Sequence, residues 1–355
     1  MDVPRRLKVL SSLVAFFIVL CLSLELLYND RVPRVYISRL SSSTLINVRT
    51  RLFPAKRSGL KTTKAIAQDF PDPSIIKHAG SWYAFATTNG KGINVQVAVS
   101  PDFVSWTVVQ GYDALPRTGN WSDPGPVLWA PDINTNDYGQ FILYYAARKR
   151  GQTSYCVGAA YAYTPTGPFT PLEEPIACNT EGGGSIDPSG FLDTDGERYL
   201  LYKIDGNHLG LGGSCNNWPA TRQTPIMLQR MWPDGITPQG PPTMILDRSD
   251  RDGPLIEAPS MTRTADGKYV VFFSSNCFTS DLYDISYAFA DKIDGPYTKY
   301  GPLAKTGIGG LQSPGGADVA ADGQHLVFHA AGANGTGRNM YTARITIDSK
   351  THTIT

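Results

Sequence analysis

DFPDPSIIKHAGSWYAFATT, residues 69–88, sets two aspartates and two prolines directly before an apolar, aromatic segment that alternates like a strand. A single Asp-Pro pair is an ordinary turn, because proline fixes its own backbone and pushes the preceding residue toward extended geometry. The pattern gains weight by recurring. APDINTNDYGQFILYYAA begins at Ala130, DPSGFLDTDGERYLLYK at Asp187, APSMTRTADGKYVVFFSS at Ala258 and PGGADVAADGQHLVFHAA at Pro314. Each copy has a Pro-containing start, a short strand-like run, a turn with glycine, and then β-branched or aromatic residues.

The prolines at 73, 131, 188, 259 and 314 are spaced by 58, 57, 71 and 55 residues, close to a fixed period with one insertion. A second element also repeats: VAVSPDFVSWT, AYAYTPTGPFT and FADKIDGPYT each read as a strand, a tight turn and a closing aromatic. Repeats of this length, filled with short strands and glycine turns, fit four-stranded blades around a central channel. The fold expected is therefore all-β, a five-bladed β-propeller over 65–355. A β-sandwich or β-helix explains the repeat length less well, and long amphipathic helical stretches are missing, which disfavours an α/β barrel.

The formal net charge of +1 conceals an asymmetry. Residues 1–64 hold 12 Lys or Arg against 3 acids, leaving the repeat region acidic. An acidic domain without a basic aromatic stripe, zinc-type Cys/His spacing or a phosphate-cradling glycine loop is not expected to bind nucleic acid. Val9–Leu27 is an apolar run after Arg5, Arg6 and Lys8, and reads as a signal anchor or a signal peptide over 1–28, followed by a basic stalk over 29–64. Glu25 and the arginines after the run leave both readings open; an anchored type II topology is placed ahead of secretion. Asn120-Trp-Ser and Asn334-Gly-Thr are glycosylation acceptors. Cys156, Cys178, Cys215 and Cys277 allow three pairings, of which sequence proximity favours 156 with 178 and 215 with 277. The protein is expected to be a lumenal or extracellular monomer.

In a propeller the innermost strand of each blade lines the channel, so corresponding positions of successive copies converge. The copies bring Asp72, Asp132, Asp187 and Glu257 at or beside the proline, and the fifth has no acid until Asp318. Crowded carboxylates raise one another's pKa, a cost retained mainly where it is used. Two carboxylates without a metal or nucleotide motif point to cleavage of a glycosidic bond, one acid protonating the leaving oxygen and the other activating water or attacking the sugar. A turn or cap role accounts for an isolated Asp-Pro. It accounts poorly for Glu257, a lone acid among the apolar residues of LIEAPSM.

The motifs FPDPSI, LWAPDI, SIDPSGFLDTDG and IEAPS, in this order across residues 65 to 345, resemble glycoside hydrolase family 43, five-bladed propeller enzymes acting on arabinose- and xylose-containing plant polysaccharides. The resemblance implies an inverting reaction with Asp72 as general base, Glu257 as general acid and Asp187 as the residue that tunes and orients the acid. It also implies substrate binding by Trp129, Asp132 and His329, no required cofactor, and a structural calcium held through water near His329. A WMNDPNG start and a Glu-Cys acid motif, which mark the related invertase-like propellers, are missing. No β-sandwich follows the fifth copy, which leans the expectation toward arabinanase or α-L-arabinofuranosidase activity, with a β-xylosidase or a silent sugar-binding propeller as alternatives. The insertion HLGLGGSCNNWPATRQ, at residues 208–223, is expected to form a loop over the pocket.

Overall fold

A computed structural model of the chain describes residues 60–125 and 128–355. The apolar run and most of the expected stalk lie outside them, and among the described residues no helix is long and apolar enough to cross a membrane. The described chain forms five four-stranded antiparallel sheets, one for each sequence repeat, and a short terminal hairpin. From the inner strand outward, blade I comprises Ser74–His78, Ser81–Ala86, Gln96–Ser100 and Thr107–Val108. Blade II comprises Leu128–Thr135, Phe141–Arg148, Tyr155–Ala162 and Thr170–Pro171. Blade III has Ser185–Leu192, Arg198–Ile204, Ile226–Met231 and Thr243–Leu246; blade IV has Ile256–Arg263, Tyr269–Ser275, Asp284–Ala290 and Thr298–Lys305.

Blade V is built from both ends of the propeller. Gly315–Val319, His325–Ala331 and Arg338–Arg344 supply its inner three strands, while Thr62–Ile66 pairs with Arg338–Arg344 as the fourth. The propeller thus begins inside the stretch read as stalk, and its ring is closed by main-chain hydrogen bonds that tie its first strand to its last repeat. The five inner strands touch in cyclic order, blade V returning to blade I.

Packing follows from the second strands. Segments such as FILYYAA and YVVFFSS are buried on both faces because a blade is covered by a neighbour on each side. Each of the five blade junctions holds its own apolar core, for example Phe85, Leu128 and Leu143 between blades I and II, and Phe272, Phe289 and Phe328 between IV and V. Polar links add to it. Asp193, whose turn context suggests a solvated acid, is buried and bonded to the Tyr269 hydroxyl at 2.6 Å and Arg263 at 2.8 Å across the junction of blades III and IV. Disulfides join Cys156 to Cys178 and Cys215 to Cys277, the pairings that proximity favoured. The side chain of Asn334 falls outside the described residues, whereas Asn120 is exposed.

Candidate active site

One local device, repeated around the axis, builds the site. In blades II to V the pairing of inner with second strand shifts at the same place: between Trp129 and Asp132, Ile186 and Ser189, Glu257 and Ser260, and Gly315 and Asp318. Such bulges bend the strand and re-aim a side chain. The bulge opens on a residue with left-handed backbone: Ala130 (φ 43°), Asp187 (φ 53°), Ala258 (φ 50°) and Gly316 (φ 57°), with Asp72 (φ 50°) in the matching place of blade I. For a residue with a Cβ this conformation costs about 1–2 kcal/mol, and it persists where surrounding structure enforces it. At Gly316 a Cβ would also sit 2.7 Å from the His329 ring and 3.2 Å from Asp72 Oδ1.

This register corrects two expectations. The fifth repeat's counterpart of the proline is Ala317, not Pro314, which restores the last step to 58 residues. The acids are also not equivalent. Asp187 opens its bulge and Asp72 holds the matching place of blade I, Glu257 precedes a bulge as Trp129 does, and Asp132 and Asp318 lie two residues further along the strand with Ser74, Ser189 and Ser260.

Asp72, Asp187, Glu257 and Trp129 nevertheless meet on one cavity of about 370 Å³, together with Lys203, Asp205, Tyr283, Arg338 and Phe278. His208, Cys215 and Asn216 of the insertion line it too, so the loop does reach the pocket. Its disulfide ties it to Cys277, next to Phe278 on the opposing loop. Trp129 is 38% exposed and lies flat on Tyr155, with centroids 3.8 Å apart and planes at 14°. That makes a rigid apolar face suited to a sugar ring.

Asp132 departs from the expected pocket wall. It is buried and accepts hydrogen bonds from Gly190 N–H (2.8 Å) and Asn134 Nδ2 (2.6 Å), with Asp318 near it around a small axial chamber. Burial, then the Asp318 charge, push the Asp132 carboxyl well above its ordinary value; burial also pushes Asp318 up to about 6. His329 is fully buried behind Asp72, outside the cavity lining. Burial, then the Arg338 charge, push its imidazole down to about 3, so the ring is neutral and Nδ1 accepts the Asp72 N–H at 3.1 Å. Nε2 therefore carries the ring hydrogen and is buried without a partner, which fits donation to an ordered water. Calcium takes 6–8 oxygen ligands. Among the described residues no group of three or more His, Cys, Asp or Glu could enclose a metal, so water would have to supply most of that shell.

Of the four carboxylates on the cavity, Asp72 and Asp187 are held in different states. Burial pushes the Asp72 carboxyl up, but Arg338, 2.9 Å from Oδ1, and the Thr87 hydroxyl, 2.7 Å from Oδ2, outweigh it and hold Asp72 below its ordinary value. Burial, then the Glu257 charge, push Asp187 up to about 8, while its Oδ2 accepts the Ala258 N–H at 3.0 Å. Glu257 accepts the Tyr283 hydroxyl on Oε1 (2.8 Å) and Lys203 Nζ on Oε2 (3.1 Å). Asp187 therefore retains its proton near neutrality, beside Glu257. An ionised carboxylate and a proton-retaining carboxyl on the same cavity supply the two states that base and acid work requires.

Lys203, Asp205, Tyr283 and Arg338 were not singled out from the sequence. Lys203 had a signal: it is the one charge within the apolar run YLLYKI, where the second, fourth and fifth repeats carry Ala146, Ser274 and His329. Tyr283 and Arg338 lie in or beside loops whose aim only the fold sets.

A five-bladed propeller that gathers four carboxylates beside an aromatic wall has the arrangement of a glycosidase. The model of glycosyl hydrolases family 43 matches residues 63–351, and the chain belongs to that family. It is 28% identical over 283 residues to the extracellular endo-α-(1→5)-L-arabinanase 1 of Bacillus subtilis (strain 168), covering 75% of this chain and 81% of that protein. It is 29% identical over 248 residues to a β-xylosidase of the same organism, covering 67% of this chain but 42% of that protein. Among solved structures, a thermostable family-43 glycoside hydrolase superposes with a TM-score of 0.66 at 25% identity, over 84% of this chain and 94% of the other.

Proposed function

We propose that this glycosidase hydrolyses arabinose-containing plant cell-wall polysaccharide, as an endo-1,5-α-L-arabinanase or an α-L-arabinofuranosidase, by an inverting two-carboxylate reaction. Asp72 takes the proton of the attacking water. Glu257 protonates the leaving oxygen, and Asp187, bonded to the Ala258 N–H beside it, tunes and orients that acid. Electron flow balances in one step: the water oxygen bonds to the anomeric carbon as the glycosidic C–O bond breaks toward the protonating acid. The observation that carries the reading is the difference between Asp72, held ionised by Arg338, and Asp187, which burial and the neighbouring Glu257 charge keep protonated on the same cavity.

A β-xylosidase of the same fold is the alternative and is comparably supported: a β-xylosidase of Xylanibacter ruminicola is 27% identical and matched over 73% of its length, against 81% for the arabinanase. Entry to the secretory pathway is supported by the two disulfides and by the extracellular relative, with residues 1–28 as leader or type II anchor. The protein acts as a monomer without a required cofactor in this reading.

The test is hydrolysis of debranched arabinan, arabinoxylan, xylo-oligosaccharides and aryl glycosides by the full-length chain, with the first-formed anomer read by NMR. Asp72→Asn and Glu257→Gln should each lower kcat/KM on oligosaccharides by about 10²–10⁴ with an unchanged melting temperature. No turnover of any glycoside would support a silent binding propeller instead, and a retained anomer would overturn the inverting assignment.

A further inference from the structure

Lys203 has no role in the reaction as derived so far, yet it is the most constrained charge in the molecule's centre. Its side chain is 1% exposed, and lysine is almost never fully buried unless paired. Nζ lies 3.1 Å from Glu257 Oε2 and 3.2 Å from Asp205 Oδ1. Lys203 stands on the second strand of blade III opposite Ile186, the neighbour of Asp187. At the same register blades II, IV and V place Ala146, Ser274 and His329, none of them a fixed charge.

We propose that Lys203 is a positioning residue for the general acid, fixing one oxygen of Glu257 and setting a permanent positive charge against the carboxylates of the cavity. The inference rests on Glu257 being the acid. Two buried carboxylates side by side, lacking a cation, would hold both protons to higher pH. A pair so protonated is a weak acid. With the ammonium at Oε2, Glu257 yields its proton to the glycosidic oxygen more readily, and the carboxylate formed as the C–O bond breaks meets a charge already in place. Burial alone would discharge the lysine, but Asp205, Glu257 and Asp187 together outweigh it and keep it protonated.

The field at Glu257 comes from every side. Asp187 faces it from blade III's inner strand, Lys203 and Asp205 from the second strand and the turn after it, and Tyr283 from the loop of blade IV. Asp72 and Arg338 face it from blades I and V, with neutral His329 behind them. Opposite changes at Lys203 and Asp205 should therefore move the titration in opposite directions, which a merely structural role would not do.

The experiment measures kcat and KM against pH for the full-length chain, on an arabino-oligosaccharide and on a dinitrophenyl glycoside whose leaving group needs no proton. In Lys203→Met the alkaline limb of kcat/KM should rise by about one pH unit or more. On the oligosaccharide kcat should fall roughly 10–100-fold with KM little changed, and on the dinitrophenyl glycoside by less than about threefold. Asp205→Asn should move the limb down, and Lys203→Arg should keep it near the wild-type position. An unmoved limb in Lys203→Met and Asp205→Asn, with Glu257→Gln inactive on the oligosaccharide, overturns the role of Lys203 and leaves the acid assignment standing. Oligosaccharide turnover surviving in Glu257→Gln overturns the assignment itself. Should Lys203→Met not fold, Asp205→Asn and Lys203→Arg decide: an unmoved limb in the first, or a shifted limb in the second, defeats the proposal.

Discussion

Replacing Arg338 by methionine should move the acid limb of the pH–rate profile upward. The guanidinium Nη1 is 2.9 Å from Asp72 Oδ1, with the two side chains 28% and 19% exposed. At an effective permittivity of about 20, a unit pair at this distance is worth about 6 kcal/mol, an upper bound for two groups that both reach solvent. Screening and the remaining Thr87 hydrogen bond reduce the net effect to about one to three pH units. Burial, which pushes Asp72 up, would then be opposed only by Thr87 and by His329, whose Nδ1 lies 3.3 Å from Oδ1, so the base would protonate at higher pH than in the wild type. Because the base works deprotonated, Arg338→Met should lose most activity near pH 4–5 and least above pH 7. The assay is kcat/KM against pH, which reports groups of the free enzyme. An acid limb coincident with wild type, in a variant with the wild-type melting temperature and with Asp72→Asn inactive, would refute the claim that Arg338 holds the base ionised.

Two further outcomes follow from the same geometry. If the stacked face serves as a sugar platform, Trp129→Ala should raise KM about 5–20-fold while kcat stays within about threefold; steady-state kinetics, with Trp129→Phe as partial rescue, checks this, and a loss confined to kcat would contradict it. Asp318, raised by burial from its ordinary 3.8 to about 6, makes a stabilising contribution that is full below pH 4 and lost as pH rises through 6, corresponding to at most about 3 kcal/mol. Urea unfolding of Asp318→Asn between pH 4 and 7 should therefore show a flatter dependence on pH than wild type, and an equal slope in both would count against that account.

The repeat length, the Asp-Pro and Ala-Pro starts and the strand alternation were enough to anticipate the five blades, because each blade is a local unit whose hairpins need only neighbouring sequence. The closing strand Thr62–Ile66 was read as stalk for the opposite reason. Its pairing partner lies at the far end of the chain, and nothing local marks TTKAI as the fourth strand of blade V.

The site divides along the same line. Asp72, Asp187 and Glu257 were legible as acids beside prolines, since charge in an apolar strand start is conspicuous in any fold. Which of them occupy matching positions was not, because the bulge sets the direction of a side chain and a slip of one residue reverses it. The same ambiguity assigned Asp132 to the pocket, whereas the register buries it beside Asp318 in the axial chamber. The protonation states arose at a still longer range. Arg338 is 266 residues from Asp72, and Lys203 is 54 from Glu257. Residue types and their spacing carry the repeat and its acids; the charge each acid bears depends on distances of about 3 Å between separate blades, and those exist only once the ring has closed.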